Sequence, residues 1–502
     1  MDFLSNLALG FGVAFSPENL FYCLIGALFG TLVGVLPGLG PTATIAILLP
    51  LTFSMDPTGA LIMLAGIYYG AQYGGSTTAI LVNVPGEAAS AVTAIDGYQM
   101  ARQGRAGSAL AIAAIGSFCA GCVATVFVAL FSPLMIGLAR SFSAVEYTAL
   151  ITLGLICSVA LARGSILKSF GMVLLGLGLG TFGIDVYSGQ PRFIGSFFEL
   201  SDGFSIVALS VGLFGLGEVL RNLEPGQTQQ PMQKALEVGS VMPTRDDLRQ
   251  SAMPVARGTL LGSILGVLPG GGAMLGSFAS YSLEKRLSRH RERFGNGAIE
   301  GVAGPESANN AGAQTSFIPM LTLGIPSNPV MALMIGAMIM QGIVPGPRVI
   351  ETNPEFFWGI IASMWIGNAM LVLLNLPLVG LWVKLVQIPY ALLFPAIVAF
   401  CIIGTYTENN SLFDLYLLLA FGLGGYCLSR MGCEPAPLLL GFILGPLLEE
   451  NFRRAMISAR GDALVFVTHP ISAVLLLIAA GMLVSVLRPG MKARRNKIFV
   501  EE

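Results

Sequence analysis

Two segments far apart in this chain carry one pattern. Gly26–Gly40 reads GALFGTLVGVLPGLG and Gly258–Gly272 reads GTLLGSILGVLPGGG, identical at nine of fifteen positions. The match keeps a Pro-Gly pair and glycines at four-residue spacing in register, which apolar likeness alone would not do. A second echo follows in the same order, Gly70-Ala71-Gln72 in one half and Gly312-Ala313-Gln314 in the other. The pattern divides the chain into a first repeat, 1–217, a polar linker, 218–257, and a second repeat, 258–502.

What surrounds the repeats decides the fold class. Charged residues make up 11% of the chain and hydrophobic ones 54%, where a soluble domain carries about 25% charged residues. Pro57 to Gly86, Ala106 to Ala139, Ser307 to Pro347 and Phe356 to Val383 hold no Asp, Glu, Lys or Arg. A bilayer crossing takes ~20 apolar helical residues, and several of these runs are longer, so the chain reads as an all-α polytopic membrane protein with about 10–12 transmembrane helices. A net charge of −1 leaves no basic surface for nucleic acid. Cys119 and Cys122 form C-x-x-C inside an apolar run without His, and read as packed, inert thiols.

Charge also constrains the second glycine motif. The basic clusters before Gly258 and at Glu284–Arg293 both favour the cytoplasmic side, and the Pro269-Gly270-Gly271-Gly272 break lies near the middle of the run. The spacing predicts a re-entrant hairpin with arms of about a dozen residues, ~18 Å each, too short to cross. Repeat logic predicts the same for Phe21–Leu51 around Pro37–Pro41. Whether the copies are inverted depends on the number of crossings between them; transporters with internal repeats are often inverted.

Backbone that is irregular at membrane depth persists only where protein or water surrounds it. Four stretches rich in helix breakers, 36–44, 70–86, 268–272 and 305–329, are paired across the repeats and point to one central cavity. A half-helix starting after Gly38, Gly40 and Pro41 presents free N–H groups and a positive dipole end beside Thr42 and Thr44, a setting that binds carboxylate. Gln72, Ser76, Thr77, Thr78 and Asn83 extend the donors, and Gly270, Gly271, Gly272, Gln314, Thr315, Ser316, Ser327 and Asn328 play the matching part. No Lys or Arg lies within the four stretches, so helix dipoles and a co-bound cation would meet the substrate's charge. Glu306, an acid at the edge of a long charge-free run and followed by Asn309 and Asn310, is a candidate site for Na⁺ or for a proton. The alternative is an interfacial acid that caps a helix. Asp56 and Glu87 read as interfacial residues, and Gly26, Gly30, Gly34, Gly258, Gly262 and Gly266 as close helix packing.

LPGLGPT at 36–42, GIYYGAQYGGSTTAILVNVPGE at 66–87, GVLPGGGA at 266–273 and GPESANNAGAQTSFIPMLTLGIPSNP at 304–329 resemble the large membrane subunit of the bacterial tripartite tricarboxylate transporters. The resemblance covers essentially the whole chain. It implies a multi-pass protein of the bacterial inner membrane with a small membrane subunit and a periplasmic solute-binding protein as partners. It also implies secondary uptake of a small carboxylate such as citrate, driven by an ion gradient (Na⁺ or H⁺), with no other cofactor. Elevator-type movement is an analogy from the broken repeats. A binding-protein-independent carrier or a channel for another solute is the alternative. The only histidines, His290 in a basic loop and His469 beside Pro470, offer no catalytic pair for an intramembrane enzyme.

Overall fold

The computed structural model describes residues 3–36, 40–162, 165–185, 187–224, 238, 241–268, 272–386 and 390–487. These residues are almost entirely helical, and among them the only strands are Gly183–Ile184 and Pro191–Arg192, paired antiparallel. The all-α polytopic membrane fold stands. Among the described residues Pro17–Val35, Ala88–Ala139, Pro354–Asn375 and Leu412–Arg430 are long and apolar enough to cross a bilayer, and seven shorter apolar helices of 10–17 residues accompany them. Cys119 lies exposed on its helix instead of packed in an interface.

The helix Pro57–Val82 runs through the interior, buried from Thr58 to its end. Asp56 starts it by accepting the N–H groups of Thr58 and Gly59 at 3.0 and 3.4 Å, with Pro57 at the first helical position, where its missing N–H costs nothing. Asn83 ends it in the left-handed conformation, φ 57°. Residues 70–82, expected to be broken, are therefore helix, and the break is confined to Asn83–Glu87. The small residues there serve packing. Ser76, Thr77 and Thr78 bond to the helix's own carbonyls at Gln72, Tyr73 and Gly75, which leaves the helix intact. In the second half, Glu300–Thr315 is likewise helix around an internal Pro305, and the chain breaks only at 324–328, after Phe317–Leu323.

Both glycine triplets press one helix backbone onto another. A methyl group at Gly26, Gly30 or Gly34 would stand 2.2, 2.3 or 2.5 Å from the carbonyl oxygens of Met63, Ile67 and Ala71. At Gly258, Gly262 and Gly266 it would stand 2.3, 2.1 or 2.5 Å from those of Gly304, Ala308 and Gly312. The contacts advance in the same direction along both partners, so each pair of helices runs parallel, and only glycine permits backbones this close.

In the second half a helical hairpin forms around the predicted break. Arg245–Gly266 and Gly272–Leu287 lie side by side and antiparallel, Gly272 against Gly266 and Gly276 against Gly262. Its first arm has 22 residues, not a dozen. It begins inside the segment read as a polar linker, because Thr244 and Asp247 form a reciprocal cap. Arg257 closes the open end with a two-pronged bond to Glu284, 2.8 and 2.5 Å. The first motif differs: Pro17–Val35 is followed by a helix of only eight residues, Pro41–Leu48, that packs among other helices. The halves are joined at Asp96, which is wholly buried. One oxygen accepts the N–H groups of Gly295, Gly297 and Ala298 at 2.8–2.9 Å, and the other accepts the Tyr281 hydroxyl at 2.9 Å.

Candidate functional site

The chain breaks of both halves converge on one cavity of about 540 Å³. Four helices begin at its wall, at Gly40–Ala43, Ala273–Met274, Asn328–Val330 and Glu434–Pro437. Pro41, Pro329 and Pro435 each occupy a first-turn position, and their fixed φ starts a helix where the preceding segment cannot continue one. Asn328 caps its helix by accepting Met331 N–H at 2.9 Å. The first turn of every helix leaves N–H groups without intrahelical partners, and its dipole places about half a positive charge there. Four such ends around one space favour an anion.

Side chains complete the wall. Tyr68 and Gln72 face the cavity from the Pro57–Val82 helix, and the Tyr68 hydroxyl accepts the Asn328 amide at 3.4 Å. Gln72 is buried, and its carbonyl oxygen has no hydrogen-bond partner among the described residues. Glu87 opens a short turn at the cavity wall, and one of its oxygens accepts the Asn309 amide at 2.6 Å. Arg221, exposed on the helix Gly217–Asn222, lies on the lining with Glu218 and Glu434. The expectation of a lining without a fixed cation is therefore corrected: the helix holding Arg221 folds back from the start of the polar segment to the mouth of the site.

Of the residues singled out from sequence, Gly40, Pro41, Thr42, Gln72 and Asn328 line the cavity. Gly272 precedes the lining residue Ala273. Thr44, Ser76, Thr77, Thr78, Gln314, Thr315, Ser316 and Ser327 are buried behind it. The hydroxyls of Thr44, Thr315 and Ser316 bond to nearby helix carbonyls and that of Ser327 to Ser316 O. Asn83 is exposed at its helix end. Gly38, Gly270 and Gly271 lie outside the described residues.

Glu306, Asn309 and Asn310 do come together, one layer behind the wall. Glu306 is 1% exposed. Its carboxylate accepts the hydroxyls of Ser76, at 2.6 Å, and Thr93. Asn310 bonds Ser117 Oγ at 2.7 Å. Through Asn309 this layer reaches Glu87. Among the described residues neither Glu306 nor Glu87 forms an ion pair, so two acids stand in the interior without a basic partner.

Sequence reasoning missed Tyr68, Ser158, Glu218, Arg221 and the Glu434–Pro437 turn. For the last the signal was present: Glu434-Pro435-Ala436-Pro437 after Gly432 is a helix-start pattern.

A family model described as the Tripartite tricarboxylate transporter TctA family matches residues 20–440. The chain belongs to the TctA family. The matched span contains every residue that lines the cavity. Membership makes the chain a subunit of a tripartite tricarboxylate transporter and so a membrane transport protein rather than an enzyme. It is 62% identical over 502 residues, the full length of both chains, to an Agrobacterium vitis protein named "Uncharacterized 52.8 kDa protein in TAR-I ttuC' 3'region". It is 65% identical over 241 residues, 48% of this chain and all of the relative, to the A. vitis "Uncharacterized protein in TAR-II ttuC' 3'region". No solved structure matches.

For this TctA-family cavity, Gly40 offers a clean probe. Among the described residues a methyl group there meets nothing within 4 Å, so Gly40→Ala is expected to keep expression and thermal stability. Crowding the N–H groups of the Pro41–Leu48 helix is expected to weaken substrate binding about tenfold, the effect of ~1.4 kcal/mol. Equilibrium binding of a tricarboxylate to the purified variant checks this, and unchanged affinity would remove Gly40 from the binding surface.

Proposed function

We propose that this chain is the transport subunit that carries small dicarboxylates or tricarboxylates, such as citrate, across the bacterial inner membrane in several passes, driven by a gradient of Na⁺ or H⁺. The observation that supports it best is the cavity with four helix N-termini at its wall, drawn from both halves of the chain, where Arg221 shares the lining with Glu87, Glu218 and Glu434. Each helix end contributes about 0.3–2 kcal/mol toward a negative group. Several ends spaced around one space favour a solute with two or three carboxylates over a neutral analogue by a few kcal/mol. Glu306 behind the wall gives the coupling ion a place near the substrate: without a basic partner it takes a proton or a cation more readily than it stays bare.

In this reading the two glycine-packed units are internal repeats, and the part that carries the cavity moves against the remaining helices as in elevator-type carriers. A periplasmic binding protein delivers the substrate and sets the finer choice among carboxylates. The small membrane subunit covers part of the exposed apolar surface, for which Leu412, Tyr416, Leu419 and Leu423 on the Leu412–Arg430 helix are suited.

Uptake by the reconstituted complex tests this with citrate, succinate, an amino acid and a sugar, each with and without Na⁺ and pH gradients. Citrate or succinate is expected to accumulate only when a gradient is imposed. Preference for the sugar, or transport that ignores every gradient, would overturn the reading.

A further inference from the structure

Farther from the substrate cavity the structure encloses a second, much smaller space of about 20 Å³. Its polar lining is Tyr73, Ser76 and Thr77 from the Pro57–Val82 helix, Ser117 from Ala106–Ala139 and Asn375 at the end of Pro354–Asn375. The rest of the lining is aliphatic. A space of this size admits one water-sized body.

The orientation of the polar groups gives the space its chemistry. Asn375 commits its amide N–H groups to Leu371 O at 2.9 Å and Thr31 Oγ1 at 3.3 Å. Among the described residues its carbonyl oxygen has no hydrogen-bond partner, and neither has the Tyr73 hydroxyl. Both residues are more than nine-tenths buried, at 7% and 4% exposure. Thr77 turns its proton to Tyr73 O at 3.4 Å, which leaves its lone pairs unused. Ser117 Oγ receives the Asn310 amide. Ser76 has one proton for two acceptors, Gln72 O at 3.0 Å and Glu306 Oε2 at 2.6 Å, and keeps a lone pair besides. Five side chains thus offer oxygen, no Lys, Arg or His among the described residues borders the space, and a buried carboxylate stands one hydroxyl away.

A lining of neutral oxygens beside one carboxylate suits a hard cation of single charge. Ca²⁺ takes six to eight oxygens, several of them carboxylates, and Mg²⁺ keeps much of its water shell; this space has neither the acids nor the room. We propose that it binds one dehydrated Na⁺, held by Tyr73, Ser76, Thr77, Ser117 and Asn375 and balanced by Glu306 through Ser76. This rests on the coupling-ion reading above and chooses between its two ions. Ser76 lies one helical turn beyond Gln72 in the substrate cavity wall, so ion and substrate share one helix.

The test uses the purified full chain with ²²Na⁺ equilibrium binding and Na⁺ titration of the unfolding temperature, ionic strength being held with choline chloride. Wild-type protein is expected to bind Na⁺ saturably, about one ion per chain, with K⁺ competing poorly. Tyr73→Phe, which deletes a single oxygen, and Asn375→Ala are each expected to raise the half-saturating Na⁺ concentration about tenfold. Citrate and succinate binding at saturating Na⁺ in the same samples reports whether each variant is folded. No saturable Na⁺ binding by the wild type means that the space takes water only, and the proposal falls. It falls equally if both variants bind Na⁺ like the wild type. Carboxylate binding that survives without Na⁺ binding would sink the ion site and leave the carboxylate reading standing, whereas Na⁺ binding without carboxylate binding would do the reverse.

Discussion

Glu306→Gln is expected to give a folded protein in which gradient-driven uptake falls at least about tenfold, equivalent to ~1.4 kcal/mol or more of lost coupling. The substitution keeps the shape of the side chain. Its carbonyl oxygen still accepts one of the two hydroxyls, from Ser76 or Thr93, and the other hydroxyl rotates to accept from the new amide. What disappears is a negative charge that no Lys, Arg or His among the described residues neutralises. Uptake driven by Na⁺ and by pH gradients, measured separately at equal expression, checks the expectation. If the variant transports with wild-type dependence on both gradients, Glu306 only holds helices together.

Gly262→Ala is expected to lower stability by about 3 kcal/mol, the upper end of ordinary overpacking. The added methyl group would lie 2.1 Å from Ala308 O and 2.6 Å from Ala308 Cα. Both are backbone atoms, so no rotamer change relieves the clash and one helix must move away from the other. Gly178→Ala is the control, because a methyl group there meets nothing within 4 Å. Thermal unfolding of the two variants in detergent should separate them clearly. Equal stability would mean that the parallel contact between Arg245–Gly266 and Glu300–Thr315 is softer than its geometry indicates.

The sequence exposed what depends on local chemistry. Glycines at Gly26, Gly30, Gly34 and their second-half partners marked close backbone contact because no other residue type serves there. Pro41 and Pro329 marked helix starts through their fixed φ, and both start helices at the cavity. Gly, Ser and Thr at 70–78 misled because the same small residues break a helix in one setting and let a continuous one pack in another; burial on all sides selected the second. The Thr244–Asp247 cap was legible but sat in a segment whose charge suggested a linker. Arg221 and Glu218 gave no sequence signal for the site, and the Glu434–Pro437 pattern marked only a helix start, since tertiary folding alone brings the end of the first half and the Pro435–Ser458 helix to the mouth built by Gly40 and Asn328.

Asp96 carries a consequence for how the chain is made. Its carboxylate is enclosed by amides from Gly295, Gly297 and Ala298 and by the Tyr281 hydroxyl, groups that leave the ribosome long after the helix bearing Asp96. Until they arrive the Asp96 carboxylate has water in place of these partners, and the first half reaches its final form only with the second hairpin and the loop beyond it. Neither half is a finished piece to which the other is later added. A chain interrupted before residue 298 would lack the groups that enclose Asp96.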